Sequence, residues 1–92
     1  MRYSLIYTKQ YKRAIRKIVR QNRSILTEIE KVVDLLLEEK ILEKKYKDHA
    51  LSGTLKGFRE VHIRPDILLV YRRDKREFVL VLVHIGSHSN LF

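Results

Sequence analysis

Cysteine is absent from the 92 residues, and proline and glycine are scarce, at one and three. Without cysteine there are no disulfides, no thiolate metal ligands and no cysteine nucleophile, which suits a reducing, cytoplasmic setting. Long apolar runs are missing too. Nothing approaches the ~20 residues that a membrane span needs, and the opening Met-Arg-Tyr-Ser-Leu-Ile-Tyr is too short an apolar run for a signal peptide. No His-x-His or His-Glu-x-x-His spacing occurs, so metal ligands would have to converge from separate elements, and no metal site is expected. No serine lies in the glycine pattern of a nucleophile elbow. Acid is lacking over residues 1–23, which carry eight Lys or Arg and no Asp or Glu.

Positive charge is what the chain has in excess. Lys and Arg number 20 against 11 Asp and Glu, a formal net charge of +9. The surplus sits in two blocks, residues 1–23 and residues 44–76, the second with ten bases and four acids. Between them residues 24–43 carry six acids and two bases. A small domain so charged repels itself, and a polyanion is the natural large partner. The length allows one domain over residues 1–92, burying roughly 60–65 % of its unfolded surface. So thin a core leaves no room for a large organic cofactor, and none is expected. An apolar fraction of 45 % with 34 % charged residues marks a globular chain.

Residues 2–7 have the pattern of a short strand. Thr8 is placed to cap a helix whose apolar stripe is Tyr11, Ala14, Ile15, Ile18 and Val19, with Lys12, Arg13, Arg16, Lys17 and Arg20 on its other faces. Gln21 to Ser24 breaks the pattern. Ser24 or Thr27, the latter with Glu30 three residues on, begins a second helix along Ile25, Leu26, Ile29, Val32, Val33, Leu36 and Leu37, ending near Lys40. Residues 43–57 are polar, hold Gly53 and Gly57, and are expected to form a long functional loop. Strands follow over residues 58–63, 67–73 and 77–85, separated by Pro65-Asp66 and Asp74-Lys75, an antiparallel meander. The order β-α-α-β-β-β gives an α+β fold: a small twisted, mainly antiparallel sheet with a helical hairpin on one face and the other face partly open to a ligand.

All four histidines, His49, His62, His84 and His88, lie in or after the loop. Strand alternation puts Glu60 and His62 on one face and Val61 and Ile63 on the other. The apolar pair should meet the helices, leaving Glu60 and His62 on the open side. By the same alternation His84 shares the side of Leu82, and His88 stands at the exit of the last strand. A lone histidine is more often a surface or packing residue. A cluster with Glu60 and Asp66, beside cations, is the equipment of metal-free RNA cleavage: imidazoles titrate near neutrality, carboxylates orient them, and cations steady phosphate charge.

Three stretches carry a resemblance: Tyr46-Lys47-Asp48-His49-Ala50-Leu51-Ser52-Gly53; Gly57-Phe58-Arg59-Glu60-Val61-His62-Ile63-Arg64-Pro65-Asp66-Ile67-Leu68-Leu69-Val70-Tyr71; and Gly86-Ser87-His88-Ser89-Asn90-Leu91-Phe92. In this order and spacing the chain resembles the YafQ-like toxins of the RelE/ParE superfamily, from bacterial type II toxin–antitoxin systems. The resemblance implies a small curved sheet with two helices packed on it. It implies a metal-independent endoribonuclease, an mRNA interferase acting on mRNA on the ribosome, and a cognate antitoxin as partner. Matched residue by residue, His49, His62, Asp66, His88 and Phe92 fall on positions for catalysis or mRNA positioning, and Glu60 on an often acidic one. The chain departs from many relatives at His84, where they carry Arg. The expected RNA-binding set is then Arg59, Arg64, His84 and Phe92, with Lys12, Arg13, Arg16 and Arg20 of the first helix. Two other readings remain open on the residues alone, a non-catalytic basic RNA-binding module and a gyrase-directed toxin.

Overall fold

A computed structural model describes residues 2–91 of the chain. Five strands and three α-helices follow one another as β1 (Ser4–Tyr7), α1 (Lys9–Gln21), α2 (Ile25–Leu37), β2 (His49–Ala50), β3 (Arg59–Arg64), β4 (Ile67–Asp74), β5 (Val79–Gly86) and α3 (His88–Leu91). The architecture is the expected α+β one. The strands form one sheet in the order β1-β5-β4-β3-β2, with β1 parallel to β5 and every other pair antiparallel.

Local chemistry sets the helix ends. Thr8 caps α1 as expected, its hydroxyl oxygen accepting from the Tyr11 backbone N–H at 3.0 Å. The cap expected for α2 does not form. Ser24 lies in helical conformation with its hydroxyl on Asn22, and Thr27 is inside the helix. The end of α2 comes at Leu37, before Lys40, because Glu39 turns left-handed (φ 54°). The backbone N–H groups of Glu39 and Lys40 then return to the carbonyls of Leu36 and Leu35, at 3.2 and 3.0 Å, a left-handed helix stop of the Schellman kind.

The long loop is more ordered than its composition suggests. Two short 3-10 helices, Lys44–Tyr46 and Gly53–Leu55, flank β2, which adds an edge strand to β3. Buried Tyr46 pins the first of them to the core. Glu77 and Phe78 are not in β5. The Asp74 carboxylate accepts from the Arg76 and Glu77 backbones, holding a turn that delays the strand to Val79.

The helical hairpin covers one face of the sheet. Tyr11 of α1 and Ile25, Ile29, Val32, Val33, Leu36 and Leu37 of α2 pack on Val61, Ile63, Leu69, Tyr71, Leu80, Leu82 and Ile85. Removing such side chains from water is the main source of stability, at about 25 cal/mol per Å² of apolar area. No helix among the described residues is long and apolar enough to cross a membrane.

Candidate active site

The face opposite the helices is shaped by one extra residue. Leu82 pairs with Tyr71 and His84 with Val70, so Val83 is a bulge. A bulge resets the two-residue alternation. Leu82 and Ile85 therefore both face the helices, and His84 turns to the opposite side, not to the side of Leu82 as uninterrupted alternation requires.

Two rows of side chains cross that face. In the first, His49 of β2 stands beside Glu60 of β3, Glu60 beside Val70 of β4, and Val70 beside His84 of β5. In the second, His62 is followed by Leu68 and Gly86. Helix α3 closes over the end of this second row. A side chain added at Gly86 would meet Asn90 Cβ at 3.5 Å and Leu91 Cδ2 at 3.8 Å. His88, the first residue of α3, is exposed two positions beyond Gly86.

Glu60 is the centre of the arrangement and the one buried charged residue among those described, 5 % exposed. Its Oε1 lies 3.7 Å from His49 Nε2 and 3.6 Å from His62 Nε2. The His49 ring is oriented from behind: Nδ1 is 2.6 Å from the carbonyl oxygen of Lys47. A carbonyl only accepts, so Nδ1 carries the hydrogen. In the neutral ring Nε2 then presents a bare lone pair beside Glu60; once protonated, it can pair with the carboxylate. Lys47 delivers that carbonyl from a left-handed conformation, φ 47°, which long side chains seldom adopt. The pattern of local strain beside a candidate functional group is a recurring one.

His84 is different. Its Nδ1 is buried with no hydrogen-bond partner among the described residues. Burial pushes its pKa below the ordinary histidine value, partly opposed by a hydrogen bond to the Asn90 backbone. Burial thus disfavours the charged form of His84.

Of the cations chosen from sequence, Arg64 lines a cavity of about 470 Å³ together with His62, but its guanidinium, like that of Arg59, is engaged by other side chains. Arg59 donates to Asp48 at 3.3 Å and to the Tyr71 hydroxyl at 3.2 Å, while that hydroxyl donates to Asp48 at 2.6 Å. Tyr71 belongs to the core on the helix side, and its pKa is pushed up to about 12, by burial first and then by the Asp48 bond. Arg64 follows a second bulge at Ile63 and reaches both carboxylate oxygens of Glu28 on α2. The hydrogen bond from Arg64 holds the Glu28 carboxyl below its usual range. Lys12, Arg13, Arg16 and Arg20 ride on α1, which packs on the helix side. Asp66 is exposed in the turn between β3 and β4. Phe92 lies outside the described residues.

Sequence reading missed three features: the bulge that turns His84, the Lys47 carbonyl behind His49, and the Asp48–Tyr71 pair that fixes Arg59. The first two have no local signature. The third had one, an acid and a tyrosine within the two stretches that already stood out.

Residues 3–92 match the model of a family described as the bacterial toxin of type II toxin–antitoxin systems, YafQ. The chain belongs to the YafQ toxin family. Among its relatives, the mRNA interferase toxin YafQ of Escherichia coli strain K12 is 30 % identical over 87 residues, 94 % of this chain and 91 % of the relative. The crystal structure of a metal-bound toxin from Helicobacter pylori matches with a TM-score of 0.92 and 43 % identity over 98 % of this chain and 99 % of that one. YafQ in the Escherichia coli DinJ–YafQ toxin–antitoxin complex matches with a TM-score of 0.84 and 28 % identity, covering 100 % and 99 %.

The metal-bound Helicobacter pylori toxin raises the question whether these residues fit an ion. Donor atoms about 2.0–2.2 Å from one tetrahedral ion lie about 3.3–3.5 Å from each other. Glu60 stands 3.6 and 3.7 Å from the two imidazoles, and no group of three or more His, Asp or Glu among the described residues is placed to hold a metal. The Nε2 atoms of His49 and His62 both lie against the Glu60 Oε1 in this YafQ family member.

Proposed function

We propose that the protein is a ribosome-dependent mRNA endoribonuclease that cuts without a metal. The observation that carries the reading is the buried Glu60 carboxylate between the Nε2 atoms of His49 and His62. The name mRNA interferase borne by a relative over nearly the whole chain supports it.

The bare Nε2 of His49 takes the proton of a ribose 2′-OH. The oxygen attacks the adjacent phosphorus, forming the 2′-O–P bond. The P–O5′ bond breaks, and His88, as general acid, protonates the departing 5′ oxygen. The products end in a 2′,3′-cyclic phosphate and a 5′-OH. Glu60 orients both imidazoles and faces the positive charge that His49 acquires. His62 is a second candidate for the base. Asp66 orients an imidazole or shares in proton transfer. Phe92 offers a ring for stacking on a base of the bound strand. A domain of 92 residues offers a flexible strand few contacts and aligns it poorly by itself. Rate depends on alignment, so the ribosome's hold on mRNA is part of the mechanism. Neither a passive RNA-binding module nor a gyrase-directed toxin gives a task to a carboxylate buried between two imidazoles.

The cognate antitoxin is proposed to cover α1 with an acidic segment. An apolar groove of about 440 Å³ between α1 and α2 holds Tyr11, Ile15, Leu26 and Ile29 and is rimmed by Arg2, Lys12 and Arg16 together with the acids Glu30 and Asp34 of α2. A helix with an acidic edge fits it, and opposite charge speeds association. Charge reversal at Arg13, Arg16 and Arg20 should slow antitoxin binding at low salt; an unchanged on-rate contradicts this.

The test of the nuclease reading is single-turnover cleavage of mRNA on translating ribosomes by the parental protein and by His88→Ala. The expected loss is roughly 10²–10⁴-fold with ribosome binding unchanged. Parental-rate cleavage by His88→Ala removes His88 as the acid. Equal cleavage of free RNA with and without ribosomes removes the ribosome dependence.

A further inference from the structure

The histidine face has groups that move protons, yet the arginines named so far leave it without a permanent cation. Attack on a phosphodiester builds negative charge on the non-bridging oxygens, and a fixed positive group there stabilises the transition state more than the ground state. Burial disfavours the charged form of His84. Arg59 is tied to Asp48 and Tyr71, and Arg64 to Glu28. Arg73 donates to the Leu36 carbonyl at 2.9 Å and stacks on Tyr71 on the helix side.

Arg72 is the exception. It lies between Tyr71, a core residue, and Arg73, whose guanidinium reaches α2. No bulge interrupts β4 between them and Arg72, which pairs with Val81. Alternation therefore sends the Arg72 side chain out of the opposite face, that of Glu60, His62 and His84. It stands one step along that face from Val70, the residue that separates Glu60 from His84. A same-face diagonal of this kind spans roughly 7–8 Å, within the reach of a long side chain. Arg72 is half-buried and makes no ion pair among the described residues. Its charge is thus held beside the acid–base row and left uncommitted by the fold.

We propose that Arg72 is the phosphate-binding residue of this site, its guanidinium donating to the non-bridging oxygens of the phosphate being cut. The proposal rests on the nuclease reading above and adds to it the group that carries the transition-state charge. Arginine suits the task because its planar fork matches two phosphate oxygens and stays charged at every working pH.

The experiment compares parental protein, Arg72→Gln and Arg72→Lys on the same ribosome-bound mRNA under single-turnover conditions. Affinity is measured in parallel with an mRNA carrying a 2′-deoxy nucleotide at the cut position. Arg72→Gln should cut roughly 10²–10³-fold more slowly, with affinity for the uncleavable mRNA within about twofold and the melting temperature kept, as for a side chain without a partner to lose. Arg72→Lys should recover a large part of the rate, because it restores the charge without the fork. Parental-rate cleavage by Arg72→Gln, or a loss seen wholly in affinity, overturns the proposal and leaves the nuclease reading standing. A lysine variant as slow as the glutamine one overturns the role of charge. A parental protein that cuts no RNA overturns the nuclease reading, and the role of Arg72 falls with it.

Discussion

The two faces of the sheet are made from the same residue types and treat them differently. On the helix side every arginine of the sheet is committed: Arg59 to Asp48 and Tyr71, Arg64 to Glu28, Arg73 to the carbonyl of Leu36. On the other side Glu60 is buried between two imidazoles at contact distance, His84 keeps a buried nitrogen unpartnered, and Arg72 makes no ion pair among the described residues. A fold gains stability by satisfying its buried polar groups. Where it leaves them short, the shortfall is a mark of sites that bind or react. Two carboxylates show the contrast at close range. Asp48 and Glu60 lie on opposite sides of the same strand pair, one accepting from a tyrosine and an arginine, the other facing two histidines.

The contrast is broken most sharply by paired substitutions. His49→Ala should lower cleavage by roughly 10²–10⁴-fold and leave the unfolding midpoint in denaturant unchanged, because the ring is half-exposed. A comparable loss of stability would place His49 in the scaffold. Asp48→Ala should do the reverse. It strips two hydrogen bonds, one of them from a charged group, and should cost about 1.5–3 kcal/mol in chemical unfolding, with cleavage per folded molecule changed far less. Tyr71→Phe, which removes the hydroxyl between Arg59 and Asp48, should cost about 1 kcal/mol by the same measurement.

The smallest effect is one of pH. The folded-state pKa of His84 is depressed by burial, so the unfolded chain takes up the proton first as pH falls. The stability held above the unfolded value near 6.5 is lost as pH falls towards the folded value. In melting curves from pH 8 to 5, the parental protein should lose more stability below pH 6.5 than His84→Gln does. Identical slopes would show that His84 is as well solvated folded as unfolded.

Much of this was legible in the residues. The stripe from Tyr11 to Val19 and the Thr8 cap define α1, and the alternation Glu60, Val61, His62, Ile63 assigns the two faces of β3 correctly. The failures have a common cause. From Val79 to Ile85 every residue except His84 is apolar, so no polar position marks where the alternation slips, and the bulge at Val83 is silent. Lys47 and Glu39 adopt left-handed conformations that a sequence usually signals with glycine. Which arginines are spent on the scaffold depends on partners distant in sequence, Glu28 for Arg64 and Leu36 for Arg73, and composition treats all of them as equal.

The central claim is that the histidine face performs acid–base cleavage through the ribose 2′-OH. The most direct measurement compares two mRNAs on translating ribosomes, identical except that one has a 2′-deoxy nucleotide at the cut position, in buffer containing EDTA. The expected result is cleavage of the all-ribose strand alone, with 2′,3′-cyclic phosphate ends and at the same rate with or without the chelator. Cleavage of the deoxy strand, or loss of cleavage in EDTA with rescue by one divalent ion, would contradict it.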